Sequence, residues 1–549
     1  MCYFVPKINK LMFKRFFAYI FLFLIAAALM QCARRGRPTG GPKDVTPPVL
    51  LKAEPDNMTT NFKETKIRLY FDELVKLEDV QEQLIVSPPL KYIPDITPQG
   101  GANKFIEIRI KDTLLENTTY TLNFGQSIVD NNEGNPNSFL TYVFSTGSYI
   151  DSLEVKGAIR DAFNQKADEF VSVMLYKIDT AYTDSTIFKR PPNYITNTLD
   201  SAVIFTLSNL KEGKYAMFAL KDASKNNMFD QNTDKIAFLQ DTISIPTDST
   251  YRLDLFKEIP NYKIAVPSLA ASNKIIFGYY GDGKEIDIST LSVLPDTIKT
   301  KMTKEREKDT LNYWFTPFEM DSLIFTVKNE TLKVIDTFTV KNRKIDADSL
   351  LLKPNQSRTL SFTQPFNIES NTPLVGIDST KVGLMNKDSL AVDFTIKLDS
   401  IGNKVDFEFA KEPNEFYELE LLPGAITDFF GNENDTLNIR LGTKSYADFG
   451  NLRMTISFEE ENYPLLVQLT DEKGETKQEI YAKAHKIFEF GNIEPAKYRV
   501  RVIFDTNGNG QWDTGNYLKR IQPERVSYYP DLIEVRANWE LEQTFTISN

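Results

Sequence analysis

Two short acidic stretches hold the side chains whose types and spacing suit ligand chemistry. Asp505, Asn507, Asn509 and Asp513 place oxygen atoms at positions 1, 3, 5 and 9 of a loop with Gly510 at position 6. A hard cation such as Ca²⁺ takes oxygen ligands on that spacing when a glycine lets the backbone curl. Asp222, Ser224, Asn226 and Asp230 repeat the spacing earlier in the chain. Position 12 is Asn516 in one stretch and Thr233 in the other, so the bidentate carboxylate that tightens such sites is missing from both. The expectation is weak calcium binding, ~10⁻⁴ to 10⁻³ M. The competing reading is a loop closed by Asx-turns, in which Asp and Asn side chains bond their own backbone. The acidic turns at Asp130 and Asp428 read as turns alone.

Other chemistries have little to stand on. Cys2 and Cys32 are the only cysteines, both near the N-terminus, so the body has no thiol for a disulfide, a metal or a nucleophile. The single histidine, His485, excludes zinc sites with two or more His ligands and reads as an exposed loop residue. There is no phosphate-cradling glycine loop, His-Glu-x-x-His stretch or Gly-x-Ser-x-Gly elbow. Glu459-Glu460-Glu461 reads as a hydrated hairpin tip. Trp314, Trp512 and Trp539 could stack on sugar rings, but aromatics are strand formers and mostly fill cores. The formal charge of −11, about −15 without residues 1–31, argues against nucleic acid as a partner.

The elements that must position these loops are strands. Apolar and polar residues alternate with period two through most ordered stretches, and Asp, Asn, Gly and Pro punctuate them. In Tyr498-Arg499-Val500-Arg501-Val502-Ile503-Phe504 the pattern predicts Tyr498, Val500, Val502 and Phe504 facing a core and both arginines facing water. Many short strands without a βαβ rhythm predict an all-β chain of consecutive antiparallel sandwiches.

The chain also repeats itself. A constant offset of 283 pairs Ile204 with Ile487, Phe205 with Phe488, Asn209 with Asn492, Lys214 with Lys497 and Tyr215 with Tyr498. The same offset pairs Asp222, Asn226 and Asp230 with Asp505, Asn509 and Asp513. Each copy reads as a strand, a tight turn, a Tyr-initiated strand and an acidic loop. This pattern is similar to the transthyretin-like or carboxypeptidase-regulatory-like sandwich, over 149–258 and 447–549, and the later copy is expected to fold by itself.

The order Pro47-Pro48, Tyr70-Phe71-Asp72-Glu73, Tyr120-Thr121-Leu122 and Asp130 to Asn135 over 46–148 resembles the bacterial Ig-like domain of surface-layer proteins and of many Bacteroidetes lipoproteins. A degraded second copy is expected over 346–446, with Leu360 to Pro365 parallel to Leu69 to Leu74, Tyr417 to Leu421 replacing the Tyr-Thr-Leu strand, and Ala425 to Asn432 replacing the turn. Residues 259–345 are β-rich and of no recognisable type.

At the N-terminus, Lys7, Lys10, Lys14 and Arg15 precede the apolar run from Phe16 to Met30, and Leu29-Met30-Gln31-Cys32 ends it. This resembles a bacterial lipoprotein signal peptide, 1–31, with Cys32 as the lipidated residue and 32–45 as a tether. Gln31 departs from the usual small residue before the cysteine. The resemblance implies a membrane partner through the lipid. Arg34, Arg35 and Arg37 stand where surface-export signals of such lipoproteins are acidic, which implies the periplasmic face of the outer membrane, with the cell surface as the alternative. The function expected is non-catalytic: a structural, scaffolding or binding role in the cell envelope. The alternatives are a glycan- or protein-binding component of an uptake or adhesion system and, less favoured, a carboxylate-based hydrolase.

Overall fold

The computed structural model describes residues 43–547, apart from 139, 199–202, 307, 320 and 459–463. Cys32 and its signal, and the Glu459 to Glu461 tip, lie outside the described residues. The chain is all-β, and its strands form successive two-sheet sandwiches. Among the described residues, each sandwich has its own apolar core, and the cores follow one another along the sequence.

In the first sandwich Lys66–Leu77 lies between Leu50–Glu54 and Asn103–Arg109, and the facing sheet is Ile85–Ser87, Thr119–Asn123 and Thr141–Ser145. Alternation does the work here. Ile67, Leu69 and Phe71 point inward to meet Tyr120, Leu122 and Phe144, while Arg68 reaches out to Glu107 on the neighbouring strand at 2.9 Å.

The duplicated units share one topology. In the first, Ser172–Lys177 lies between Tyr194–Asn197 and Gly213–Lys221, with Leu153–Asp161 in the facing sheet. In the second, Leu465–Asp471 lies between Thr476–Ala482 and Ala496–Phe504, with Gly450–Phe458 facing. In both the last strand closes the smaller sheet in parallel: Thr250–Leu255 on Leu153–Asp161, and Glu540–Ile547 on Gly450–Phe458. Asn209 and Asn492 are left-handed at φ 59° and 51°, a conformation asparagine tolerates better than most residues. Tyr215 donates its hydroxyl to the Lys211 carbonyl and Tyr498 to the Glu494 carbonyl, so each Tyr-initiated strand is tied to the turn before it.

Residues between the copies form two more sandwiches. Lys274–Tyr280 and Thr310–Phe315 face Ile286–Thr290, Ser322–Asn329 and Val334–Lys341 across a core of Phe277, Tyr313 and Phe325. In the next, Phe366–Ser370 pairs with Lys404–Phe409, and Phe416–Leu421 lies between Val382–Asn386 and Leu437–Gly442. The expected parallel between Leu360 to Pro365 and the strand at Leu69 is corrected. Leu360 is buried but lies outside any strand, and Phe366–Ser370 takes the central place. Pro365 has no N–H to give a ladder and ends the preceding segment.

The alternation rule also fails at one position that matters. Val500 and Val502 are buried in the core as expected, but Arg501 is only 3% exposed. The reason is that its face of the sheet meets the earlier copy instead of water.

Candidate functional site

The acidic loops follow directly from Gly213–Lys221 and Ala496–Phe504, so the equivalent strands deliver them to equivalent places. In the later loop Asp505 is fully buried. Its Oδ1 accepts the N–H groups of Gly508 and Asn509, and its Oδ2 accepts that of Gly510 at 2.7 Å. Asp513 Oδ2 accepts the side-chain amides of Asn507 and Asn509, and the two asparagine carbonyls accept N–H groups two residues on. Gly508 and Gly510 supply the positive φ, 76° at each. All four expected oxygens are thus gathered in one loop, where they accept hydrogen bonds in the manner of Asx-turns.

The earlier loop is held differently. Asp222 accepts from Ser224 Oγ and from the Asn227 N–H, Asn226 accepts from the Met228 N–H, and Asp230 accepts from the Asn232 N–H. The organiser is Asp234, fully buried, which accepts the N–H groups of Ala223 and Asp230. Its counterpart in the later loop is Glu524, which accepts the N–H groups of Thr506 and Asp513. Neither was singled out by spacing, because each lies beyond the ligand-like window. Among the described residues, no three His, Cys, Asp or Glu side chains converge, and each of these loops offers its oxygens as two carboxylates with Asn or Ser.

The turns at Asp130 and Asp428 use the same device. Asp130 accepts four backbone N–H groups, from Asn132, Glu133, Gly134 and Asn135. Burial pushes its carboxyl up, but these donors outweigh burial and hold it at about 2. Asp428 accepts the N–H groups of Phe430 and Asn432.

The largest feature that the sequence left unread is a junction between the two duplicated sandwiches. The later acidic loop is longer than the earlier one before the next strand begins, and its extra length carries Tyr517 into the earlier copy. The Tyr517 ring is fully buried among Phe218, Phe238 and Phe188, with centroid separations of 5.1, 5.3 and 6.3 Å. Its N–H is accepted by Glu258 Oε1, itself a buried residue at the end of the earlier copy. Thr514 donates to the Lys257 carbonyl, Gln522 to the Phe238 carbonyl, and Arg520 pairs with Asp184.

Traffic runs the other way as well. Phe163 of the earlier copy lies under the Arg501 guanidinium, 4.2 Å from ring centroid to Cζ, and against the Trp512 ring at 4.7 Å. Arg501 is satisfied by Gln468, Thr476 and Tyr528, and Tyr528 donates to the Phe163 carbonyl at 2.6 Å. Arg501 stands 283 residues after Phe218, so the same strand position meets an aromatic of the other copy in both modules. The excess loop length and the apolar Ile503 on the supposedly wet face were the available signals.

Of the tryptophans, Trp314 is buried and bonds Thr303, and Trp512 is half-buried and bonds the Glu524 carbonyl. Trp539, 46% exposed beneath Arg536, is the one left at the surface. His485 is exposed beside Phe488, as expected.

Residues 44–146 match the family model of the bacterial Ig-like domain. Residues 44–146 thus carry a bacterial Ig-like domain, and the rest of the described chain continues as β-sandwiches. A search of curated proteins finds no match. Among solved structures, similar chains include domains 1–6 of the surface layer protein SbsC, at 12% identity, covering 89% of this chain and 67% of that one with a TM-score of 0.15. The Bacillus anthracis TIE protein is 11% identical over 93% of this chain and 76% of its own, with a TM-score of 0.13. The major pilin subunit BcpA of Bacillus cereus is 10% identical over 73% and 99%, with a TM-score of 0.14. At these values the likeness carries no argument about function.

Proposed function

We propose that the chain is a non-catalytic scaffold of the cell envelope, anchored to the periplasmic face of the outer membrane through a lipid on Cys32. The observation that carries this reading is the junction of the duplicated sandwiches. A buried, two-way aromatic contact between modules nearly 300 residues apart holds them as one body, which is what a load-bearing or spacing element requires. The bacterial Ig-like match over 44–146 supports the same reading. The apolar run ending at Cys32 supports the anchor, and Arg34, Arg35 and Arg37 suit anionic headgroups.

The test is rescue in cells that lack the protein. Cys32→Ala should leave the membrane fraction, lose its lipid by mass spectrometry and fail to rescue. Asp230→Asn and Asp513→Asn should rescue fully. If a surface carboxylate substitution abolishes rescue while the variant stays folded and anchored, that side chain has a binding or catalytic role and the scaffold reading falls.

A further inference from the structure

The chain's two Asn-Gly pairs, Asn507-Gly508 and Asn509-Gly510, stand side by side in the later acidic loop. Asparagine is most prone to deamidation before glycine, whose nitrogen has no neighbouring Cβ to hinder its approach to the side-chain carbon. The nitrogen attacks Cγ and closes a five-membered succinimide, the side-chain nitrogen leaves as ammonia with the displaced proton, and one water opens the ring to aspartate or isoaspartate. Asn507 and Asn509 are exposed, so water has access. The earlier loop shows that the backbone alone does not call for these glycines. The offset of 283 sets Lys225 and Asn227 at the places of Gly508 and Gly510, and both adopt positive φ, 56° and 58°. Asn-Gly stands only in the copy whose loop runs on into Thr514 and Tyr517, the residues that enter the other module.

Two carboxylates hold the reacting atoms apart. Asp505 accepts the Gly508 N–H on Oδ1 at 2.8 Å and the Gly510 N–H on Oδ2 at 2.7 Å, and so ties up both attacking nitrogens. A carboxylate at that distance keeps each proton in place, since its loss would set two negative charges together. Asp513 Oδ2 accepts both leaving amides, from Asn507 Nδ2 and from Asn509 Nδ2. The other atom of each amide is held too, Asn507 Oδ1 by the Asn509 N–H and Asn509 Oδ1 by the Gln511 N–H. Neither amide turns toward its glycine nitrogen until the loop opens.

We propose that Asn507 and Asn509 are a deamidation site gated by Asp505 and Asp513, and that its product loosens the junction between the duplicated sandwiches. A new carboxylate at either asparagine brings Asp513 Oδ2 a like charge in place of a donor, so the closed loop is not regained. Thr514 and Tyr517 then lose the frame that delivers them to the earlier copy. The inference goes beyond the scaffold reading and does not depend on it.

The test ages the whole chain in mildly alkaline buffer with a chelator, folded or in guanidinium chloride, and reads each asparagine by peptide mass spectrometry. A hydrogen bond to a charged acceptor is worth about ten- to a hundredfold in the opening equilibrium, so Asn507 and Asn509 should convert at least about tenfold more slowly in the folded chain. Asp513→Ala, at a half-buried loop position, should speed conversion of the folded chain about tenfold and leave the denatured rate unchanged. Asn226, followed by Asn227 in the earlier loop, should stay unmodified over the same period. Asn507→Gln with Asn509→Gln, which lengthens both side chains past the five-membered ring, should abolish the mass gain. Asn507→Asp with Asn509→Asp, the product made directly, should shift the Trp512 unfolding signal to lower urea. Equal rates in the folded and denatured chain, no acceleration by Asp513→Ala, or a product variant with the wild-type Trp512 transition overturns the proposal.

Discussion

Truncating Tyr517 should separate the two duplicated sandwiches. The ring is fully buried, in edge-on contact with Phe218 and Phe238, and Arg520 lies 5.0 Å from its centroid. Removing a large aromatic from such a place costs about 3 to 5 kcal/mol, part transfer and part cavity. Because the ring belongs to one module and the phenylalanines packed on it to the other, the cost falls on their junction and not on either core. Urea unfolding followed by tryptophan fluorescence reads it, since Trp512 sits at the junction while Trp314 and Trp539 lie elsewhere. Tyr517→Ala should lower the denaturant midpoint and draw the Trp512 signal ahead of the rest. The hydroxyl offers an internal control. It is buried near Tyr182 without reaching hydrogen-bonding geometry, and burial pushes its pKa up. Tyr517→Phe should therefore be neutral or slightly stabilising. A double-mutant cycle with Phe218→Ala should return a coupling of about 0.5 to 1.5 kcal/mol. If Tyr517→Ala leaves stability within about 0.5 kcal/mol of wild type, as ordinary surface changes do, the reasoning about the junction is refuted.

Arg501→Asp should destabilise by several kcal/mol, as should Val502→Asp, because both bury an unpaired carboxylate; urea melts in which only Val502→Asp is costly would return Arg501 to solvent. Lys497→Ala, on an exposed residue of the same strand, is the matched control and should stay within about 0.5 kcal/mol. Asp130 is held at about 2 against an ordinary value of 3.8, so its contribution is full above the ordinary value and lost as pH falls toward about 2. Acid melts should show a flatter pH dependence in that window for Asp130→Asn, and an unchanged slope would contradict the assignment. If the later loop is held by its Asx-turns alone, calcium at 10 mM should leave the melting temperature unmoved; a rise that Asp513→Ala abolishes would favour the calcium reading of that loop.

Period-two alternation was enough to place Tyr498, Val500, Val502 and Phe504 in a core, because one sheet face of any sandwich must be dry. The ungapped offset of 283 correctly matched Ile204–Leu210 with Ile487–Ile493 and Gly213–Lys221 with Ala496–Phe504. What alternation cannot say is whether the other face is wet. Arginine is a surface residue by composition, yet its planar guanidinium stacks on an aromatic ring and fans out to several acceptors, so Arg501 suits a buried junction once Phe163 arrives from outside its own module. Asp234 and Glu524 escaped notice for a related reason. Their partners are backbone N–H groups, which every sequence has and none advertises.

The junction also sets a timetable. Tyr528 reaches the carbonyl of Phe163, a residue 365 positions earlier, so the covering surface emerges long after the surface it covers as the chain is made or exported. At ~5 to 20 residues per second, the ~270 residues from the end of the earlier copy to Tyr528 take ~14 to 54 s to appear. Through that interval Phe163, Phe218 and Phe238 lack their cover, and contacts of such long range are also the slowest to find. The newborn chain should therefore gain yield from a holding chaperone far more than the stability of the finished protein would suggest.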